Sequence, residues 1–295
     1  MPSHDNPDAP LSPALYVVAT PIGNLEDITL RALRILRSAD LIACEDTRHT
    51  QKLLNHFEIK TPTQSYHEHN EAARAQELVA KMNAGARIAL VSDAGMPGVS
   101  DPGERVIRAA LDRGLKVVVV PGPSALISAL VASGLPTDSF RFLGFLPPRS
   151  GERRTALEGL RDSPETLIFY EAPHRISEML ADLEQTFGKE RHIALARELT
   201  KIHEEFLRGS ITEVAGELRT RGAIKGEITL IVEGSRTEGP ARAAPSTVVD
   251  RIRELMGANA LDEKAALKHA AKEFGLSRSA AYREWQRGKK AEGRR

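Results

Sequence analysis

The sequence predicts two consecutive α/β domains, the first on a mainly parallel sheet and the second on a mixed one, followed by a small helical domain of helix-turn-helix type. Three observations carry this. Short β-rich runs alternate with helical patterns over residues 15–133, the mark of a parallel sheet covered by helices. From Phe140 onward some strands follow each other with little between them, which suits a mixed sheet. Past a stretch rich in Gly, Pro, Ala and Arg at 234–245, only helical patterns remain. A length of 295 residues has room for these parts.

Residues 1–13 hold four prolines and almost no apolar side chain, so they read as a disordered leader. The first domain, 14–123, then takes strands over 15–19, 41–44, 87–91 and 116–120, with helices over 29–38, 71–84 and 103–113. Val117, Val118, Val119 and Val120 are apolar at every position, as a strand buried on both faces requires. The second domain, 124–235, opens with a helix over 124–133. Strands follow at 140–145, 166–170, 192–196, 205–208 and 227–232, and helices at 152–161, 176–187 and 212–220. Residues 236–245 read as a linker and 246–290 as the helical domain, leaving 291–295 as a tail. In it, helices cover 246–256, 262–274 and 277–287, with a break at Gly275 and a cap at Ser277. The pattern over 266–285 is that of a helix-turn-helix, and Arg278, Arg283 and Arg287 on its second helix are candidate nucleic-acid contacts. A helix pair that serves only packing or dimerisation has the same apolar spacing.

Hydrophobic residues make up 41% and charged residues 27%, a globular balance. Apolar runs fall well short of the roughly 18 residues that span a bilayer, so no membrane association is expected. Cys44 is the only cysteine and no cationic start leads into an apolar segment, which points to a reducing cytoplasm. The net charge of +1 hides a split: residues 241–295 carry 13 Lys/Arg against 7 Asp/Glu, and residues 1–240 carry 28 against 33. An acidic body with a basic tail suits a small ligand on the one and a polyanion on the other; a tail that is basic only for solubility is the plainer reading.

Chemistry is expected in the loops after strands, where helix N-termini offer free N–H groups. The first such loop, Thr20 to Asp27, has no G-x-G-x-x-G, and the chain has no Walker A motif, which removes the main support for a kinase or ATPase. The loop from Ser92 to Gly103 interleaves three glycines and two prolines with two carboxylates, a composition suited to close approach of a ligand. In the third, Pro121 to Ala125, small side chains leave room for a flat ring.

The ordered motifs ATPIGNLEDITLRAL, EDTRHT, SDAGMPGVSDPG, VPGPSAL, FYEAPHR and KGEITLIVEG, over residues 15–234, resemble the ribosomal RNA small-subunit methyltransferase I family, a branch of the tetrapyrrole-methylase-like superfamily. The resemblance implies a cleft between two α/β domains that holds S-adenosylmethionine. It also implies a homodimer, and 2′-O-methylation of a cytidine in 16S rRNA of the small ribosomal subunit, near the decoding centre. Porphyrin-type members usually show V-G-x-G-P-G and G-D-P where this chain has Thr20-Pro21-Ile22-Gly23 and Ser92-Asp93-Ala94-Gly95-Met96-Pro97. That departure puts a tetrapyrrole substrate in doubt.

The family's cofactor positions carry over onto Pro21, Gly23, Asp93, Ala94, Gly95, Pro97, Gly122, Ser124, Ala125, Tyr170, Ala172, Gly226, Glu227 and Ile228. A ribose hydroxyl is a poor nucleophile, so a base or a charge that lowers its pKa is expected within hydrogen-bond reach. Asp46, Glu198, Lys201 and His203 have suitable chemistry in loops after strands, and each has a plain salt-bridge reading beside the catalytic one. Arg48, Arg175 and Arg197 read as phosphate clamps, with His174 beside Arg175 at a helix start. No metal is expected: there is no C-x-x-C and no H-E-x-x-H, and His67 and His69 lack further ligands. Two other functions stay open, a small-molecule methylase of the tetrapyrrole kind and a cofactor-binding regulator that grips DNA.

Overall fold

The computed structural model describes residues 11–235, 247–258 and 261–292; the first ten residues of the expected leader, the expected linker and the end of the expected tail lie outside them. The chain divides into two compact units after Ser235. The first contains two α/β lobes.

In the amino-terminal lobe β1 (Ala14–Val18), β2 (Leu41–Cys44), β3 (Thr63–Ser65), β4 (Arg87–Val91) and β5 (Val117–Val120) form one sheet in the order β3-β2-β4-β1-β5, every pair parallel. Alternation along β1 sends Tyr16 and Val18 into a core with Ile35 and Leu36 of α1 (Leu30–Ser38), and Leu15 and Val17 into a core with α3 (Glu71–Asn83) and α4 (Glu104–Leu111). Both faces of β1 and β4 are covered, whereas β5, expected to be buried on both faces, is the edge strand and leaves Val119 exposed. Leu11 packs on the first core and the Tyr16 hydroxyl donates to the Ser12 carbonyl (2.8 Å), so the chain is held ahead of residue 14.

Two elements have no counterpart in the sequence prediction. Helix α2 (Thr47–His56) is mostly polar and turns Thr50, Leu53 and Leu54 inward. Its start is set by Asp46, whose carboxylate accepts the Arg48 N–H (2.8 Å). Strand β3 is three polar residues at the sheet edge, paired only with β2; its conformation comes from the neighbour it meets.

The second lobe orders its strands β6 (Phe140–Phe145), β7 (Thr166–Glu171), β10 (Ile228–Val232), β8 (His192–Arg197) and β9 (Glu205–Ser210); β6 and β7 run parallel and the other pairs antiparallel. Helices α6 (Ser150–Glu158), α7 (Ile176–Phe187) and α8 (Ile211–Arg219) cover one face, and α5 (Ala125–Ser133) covers the other through Ala129 and Leu130. Under the first face lies a buried ionic network. Arg153, with no exposed side-chain surface, donates to Asp182 (2.7 Å) and to the Pro148 carbonyl (3.2 Å), while Asp182 also accepts from Ser150 (3.0 Å). Arg175 donates to the Leu146 and Pro147 carbonyls (2.9 and 3.2 Å) and pairs with Glu171 (3.3 Å). These contacts fix the segment that follows β6.

The second unit is three helices, α9 (Val248–Ala258), α10 (Glu263–Glu273) and α11 (Arg278–Glu292), around Ile252, Leu255, Leu267, Ala270, Ala281 and Trp285. Gly275 (φ +64°) makes the turn between α10 and α11, and Ser277 accepts the Ala280 N–H (3.2 Å) to start α11. No helix among the described residues is long and apolar enough to cross a membrane.

Candidate active site

Three adjacent strands of the first sheet, β4, β1 and β5, send their loops toward the second lobe, and with it they enclose a cleft of about 570 Å³, a size suited to a small molecule. Two of these loops are joined: Thr20 and Gly95 exchange backbone hydrogen bonds (2.9 and 3.0 Å), with Gly95 at φ +79°. The third runs into α5, which Ser124 caps by accepting the Ile127 N–H (3.5 Å). From the second lobe Tyr170 packs edge-on against Phe142 (4.9 Å) and takes a hydrogen bond from the Leu126 backbone, tying β7 to the first turn of α5. Burial raises the Tyr170 phenol above its ordinary value.

Of the expected cofactor positions, Ala94, Gly95, Gly122, Ser124, Ala125, Tyr170, Ala172, Gly226, Glu227 and Ile228 line this cleft. Pro21 and Asp93 line a smaller hollow beside it. Pro97 lines neither. Gly23 sits where a Cβ would collide with Lys201 Cγ.

The charged residues in the lining are Asp101, Glu171 and Glu227, with no Lys, Arg or His among them. Asp101 stands out. Burial, seconded by the charges of Glu45, Asp93 and Glu227, pushes its carboxyl up to about 6, against a hydrogen bond from Ser92, and it enters no ion pair among the described residues. The sequence does not single it out, because Glu45 and Glu227 come from distant parts of the chain and its burial is set by the fold. Glu171 is also raised by burial, and is engaged by Arg175 and the Ala172 N–H (2.8 Å).

The four expected catalytic groups are not gathered at one point. Asp46 caps α2 and pairs with Arg48 (3.2 Å), whose hydrogen bond holds it below the ordinary carboxylate range. Glu198 and Lys201 form a knot: Lys201 Nζ lies 2.7 Å from Glu198 and 3.1 Å from Glu227, the latter in the cleft lining. Burial works against the Lys201 charge, but the two carboxylates outweigh it and raise its pKa, so Lys201 stays an ammonium. The Lys201 hydrogen bond lowers Glu198 in turn. Glu198 (φ +52°) and Thr200 (φ +66°) both adopt left-handed backbone, and a Cβ on Gly226 (φ +93°) would collide with the Glu198 side chain. Strain of this kind persists where surrounding structure enforces it, commonly at working sites. His203 is exposed in the turn before β9 and is not part of the lining.

The expected phosphate clamps differ in availability. Arg48 and His174 are exposed. Arg175 is turned inward to carbonyls and Glu171, and Arg197 is committed to Glu205 and the Lys225 carbonyl (3.0 Å). On α11, Arg278 and Arg283 are exposed, and Arg287 pairs with Glu284 (3.2 Å). No cluster of His, Cys, Asp or Glu suited to a metal occurs among the described residues.

The family model for Tetrapyrrole (Corrin/Porphyrin) Methylases matches residues 14–215. Proteins named ribosomal RNA small subunit methyltransferase I are similar over nearly the whole chain: 47% identity for that of Synechocystis sp., across 91% of this chain and 95% of the relative, and 47% for that of Mesorhizobium japonicum, across 94% and 92%. The chain belongs to the ribosomal RNA small subunit methyltransferase I family. Its Escherichia coli O157:H7 relative is 44% identical across 91% of this chain and 93% of its own. Alignments of this length must run past Ser235 into the C-terminal helical region. Solved structures share the fold at lower identity. Uroporphyrin-III-C-methyltransferase from Thermus thermophilus is 23% identical with a TM-score of 0.51, covering 74% of this chain and 93% of its own. A form complexed with S-adenyl homocysteine is 20% identical (TM-score 0.52, 74% and 96%), and diphthine synthase 15% (TM-score 0.59, 74% and 89%).

Proposed function

We propose that this chain transfers a methyl group from S-adenosylmethionine to the ribose 2′-hydroxyl of a cytidine in 16S rRNA of the small ribosomal subunit, near the decoding centre. The observation that carries the reading is the cleft itself, whose only charged lining groups are carboxylates and whose Asp101 has no cation beside it. A desolvated carboxylate without a partner is costly unless a positive ligand arrives. The donor, with a sulfonium and an ammonium, is such a ligand. Asp101 would hold its cationic end, the Ala125 N–H at the start of α5 would receive its carboxylate, and Tyr170 with the backbone at Gly226 to Ile228 would flank its adenine. When bound, the donor supplies a methyl group already activated for displacement, which leaves the protein alignment and charge to provide.

Lys201 serves the acceptor. As an ammonium it cannot take a proton, so the hydroxyl proton passes to water while the Lys201 charge stabilises the oxygen that becomes negative as the methyl moves from sulfur to oxygen. Glu198 holds it in place. Exposed Arg48 and His174, with Arg278 and Arg283 of the second unit, meet RNA phosphates. Val119 at the edge of the first sheet and Ile127 and Val131 of α5 leave large apolar side chains exposed, and a second copy of the chain would cover them as a homodimer. The reaction belongs in the cytoplasm, where ribosomal subunits are.

The test offers labelled S-adenosylmethionine with 30S subunits, free rRNA, duplex DNA or a porphyrinogen. Label in ribose from the 30S sample is the expected result; a labelled macrocycle, or no transfer to any RNA, overturns the proposal.

A further inference from the structure

Beside the donor cleft the amino-terminal lobe carries a second hollow, of about 210 Å³. The loops after β1 and β4 divide their residues between the two. Thr20, Pro21, Ser92 and Asp93 line the hollow, while Ile22, Ala94, Gly95 and Met96 line the cleft, and the Thr20–Gly95 hydrogen-bond pair joins the loops at the divide. Helix α2, absent from the sequence prediction, supplies the rest through His49, Thr50, Lys52 and Leu53.

Its chemistry is that of a base site. Pro21, Leu25 and Leu53 offer apolar surface to the faces of a ring, and Lys52 and His49 are exposed. Asp93 is half-buried; its Oδ1 accepts the Asp46 N–H (3.2 Å), and its Oδ2 has no hydrogen bond or ion pair among the described residues. An ionised carboxylate can only accept, so it selects a ring that bears an exocyclic amine, and rejects one that presents a carbonyl there. Enzymes that modify a nucleotide within structured nucleic acid hold its base in a pocket outside the stack. We propose that this hollow receives the base of the acceptor cytidine, with Asp93 taking the hydrogen bond of its amino group, so that the attached ribose reaches the adjoining cleft. The assignment rests on the RNA methyl-transfer reading above.

Two variants test it, Asp93→Asn and Leu25→Trp, the second at an exposed position where bulk enters the hollow without disturbing the core. Each is assayed on subunits reconstituted with cytidine or with uridine at the position the unaltered protein labels, and donor affinity is measured separately by calorimetry. The unaltered protein should prefer cytidine by about tenfold or more in kcat/KM. In Asp93→Asn the amide also donates, so that preference should fall by about tenfold or invert, with donor Kd unchanged within about twofold. Leu25→Trp should raise KM for the subunit and likewise spare the donor. Donor affinity that falls in step with activity would make Asp93 a donor ligand and overturn the assignment, as would an unchanged base preference in both variants. If the unaltered protein labels no RNA at all, the methyl-transfer reading fails and the base site with it.

Discussion

Replacing Asp101 by Asn should have two opposite effects, one on stability and one on binding. The folded protein raises this carboxyl from 3.8 to about 6. Its fold therefore holds the proton more tightly than the unfolded chain does, and stability present below about pH 4 is lost as pH rises through about 6. Two pK units correspond to about 3 kcal/mol, and partial exposure to solvent reduces this to about 1–2 kcal/mol. Above pH 7 the Asn variant should accordingly resist urea better than the unaltered protein by about 1–2 kcal/mol, a difference that vanishes near pH 4. Donor binding should go the other way. At pH 5 only about one Asp101 in ten is ionised in the free protein, so affinity for S-adenosylmethionine should weaken roughly tenfold from pH 7 to pH 5, while the Asn variant binds weakly and without that slope. Calorimetric titrations across this range, with urea melts at pH 4 and 8, measure both. A flat profile for the unaltered protein, or an Asn variant that keeps its affinity, refutes the role given to Asp101.

Lys201→Met should lower kcat on 30S subunits by about 10²-fold, the usual cost of losing a charge at a developing oxyanion, and leave donor Kd nearly unchanged; donor binding lost in proportion would count against it. Arg153→Met should cost about 3–5 kcal/mol in urea unfolding, because the buried Asp182 carboxylate keeps only its Ser150 hydroxyl and a long contact to Arg154 (3.9 Å); a loss below about 1 kcal/mol contradicts that account. Deleting residues 241–295 should weaken binding to the subunit more than affinity for the donor, and equal activity on 30S with and without them rules out a role in substrate capture.

The parallel sheet was legible from the alternation of apolar strands with helices, but Val117 to Val120, which reads as buried on both faces, lies at the sheet edge with Val119 exposed, because residue type does not give a strand's place in the order. Helix α2 was not read from the sequence because its residues are mostly polar, with Leu53 and Leu54 the apolar side chains it buries. The same contrast runs through the site. Gly95, Gly122 and Ala125 could be placed near a ligand from loop position and family motif, and they line the cleft. What no local pattern reveals is direction. Arg175 and Arg197 have the residue type of a phosphate clamp, yet nearby carbonyls and carboxylates engage them. The perturbation of Asp101 comes first from burial and then from the charges of Glu45, Asp93 and Glu227, two of which stand far from it in the chain, so it exists only in the folded protein.

The chain passes from one lobe to the other a single time, between Val120 and Ala125, and three residues of that passage, Gly122 to Ser124, form part of the cleft lining. Pivot and receptor are thus one stretch of backbone. A molecule seated there stiffens the only covalent joint between the halves, so occupancy and the freedom of the halves to swing apart cannot be tuned independently.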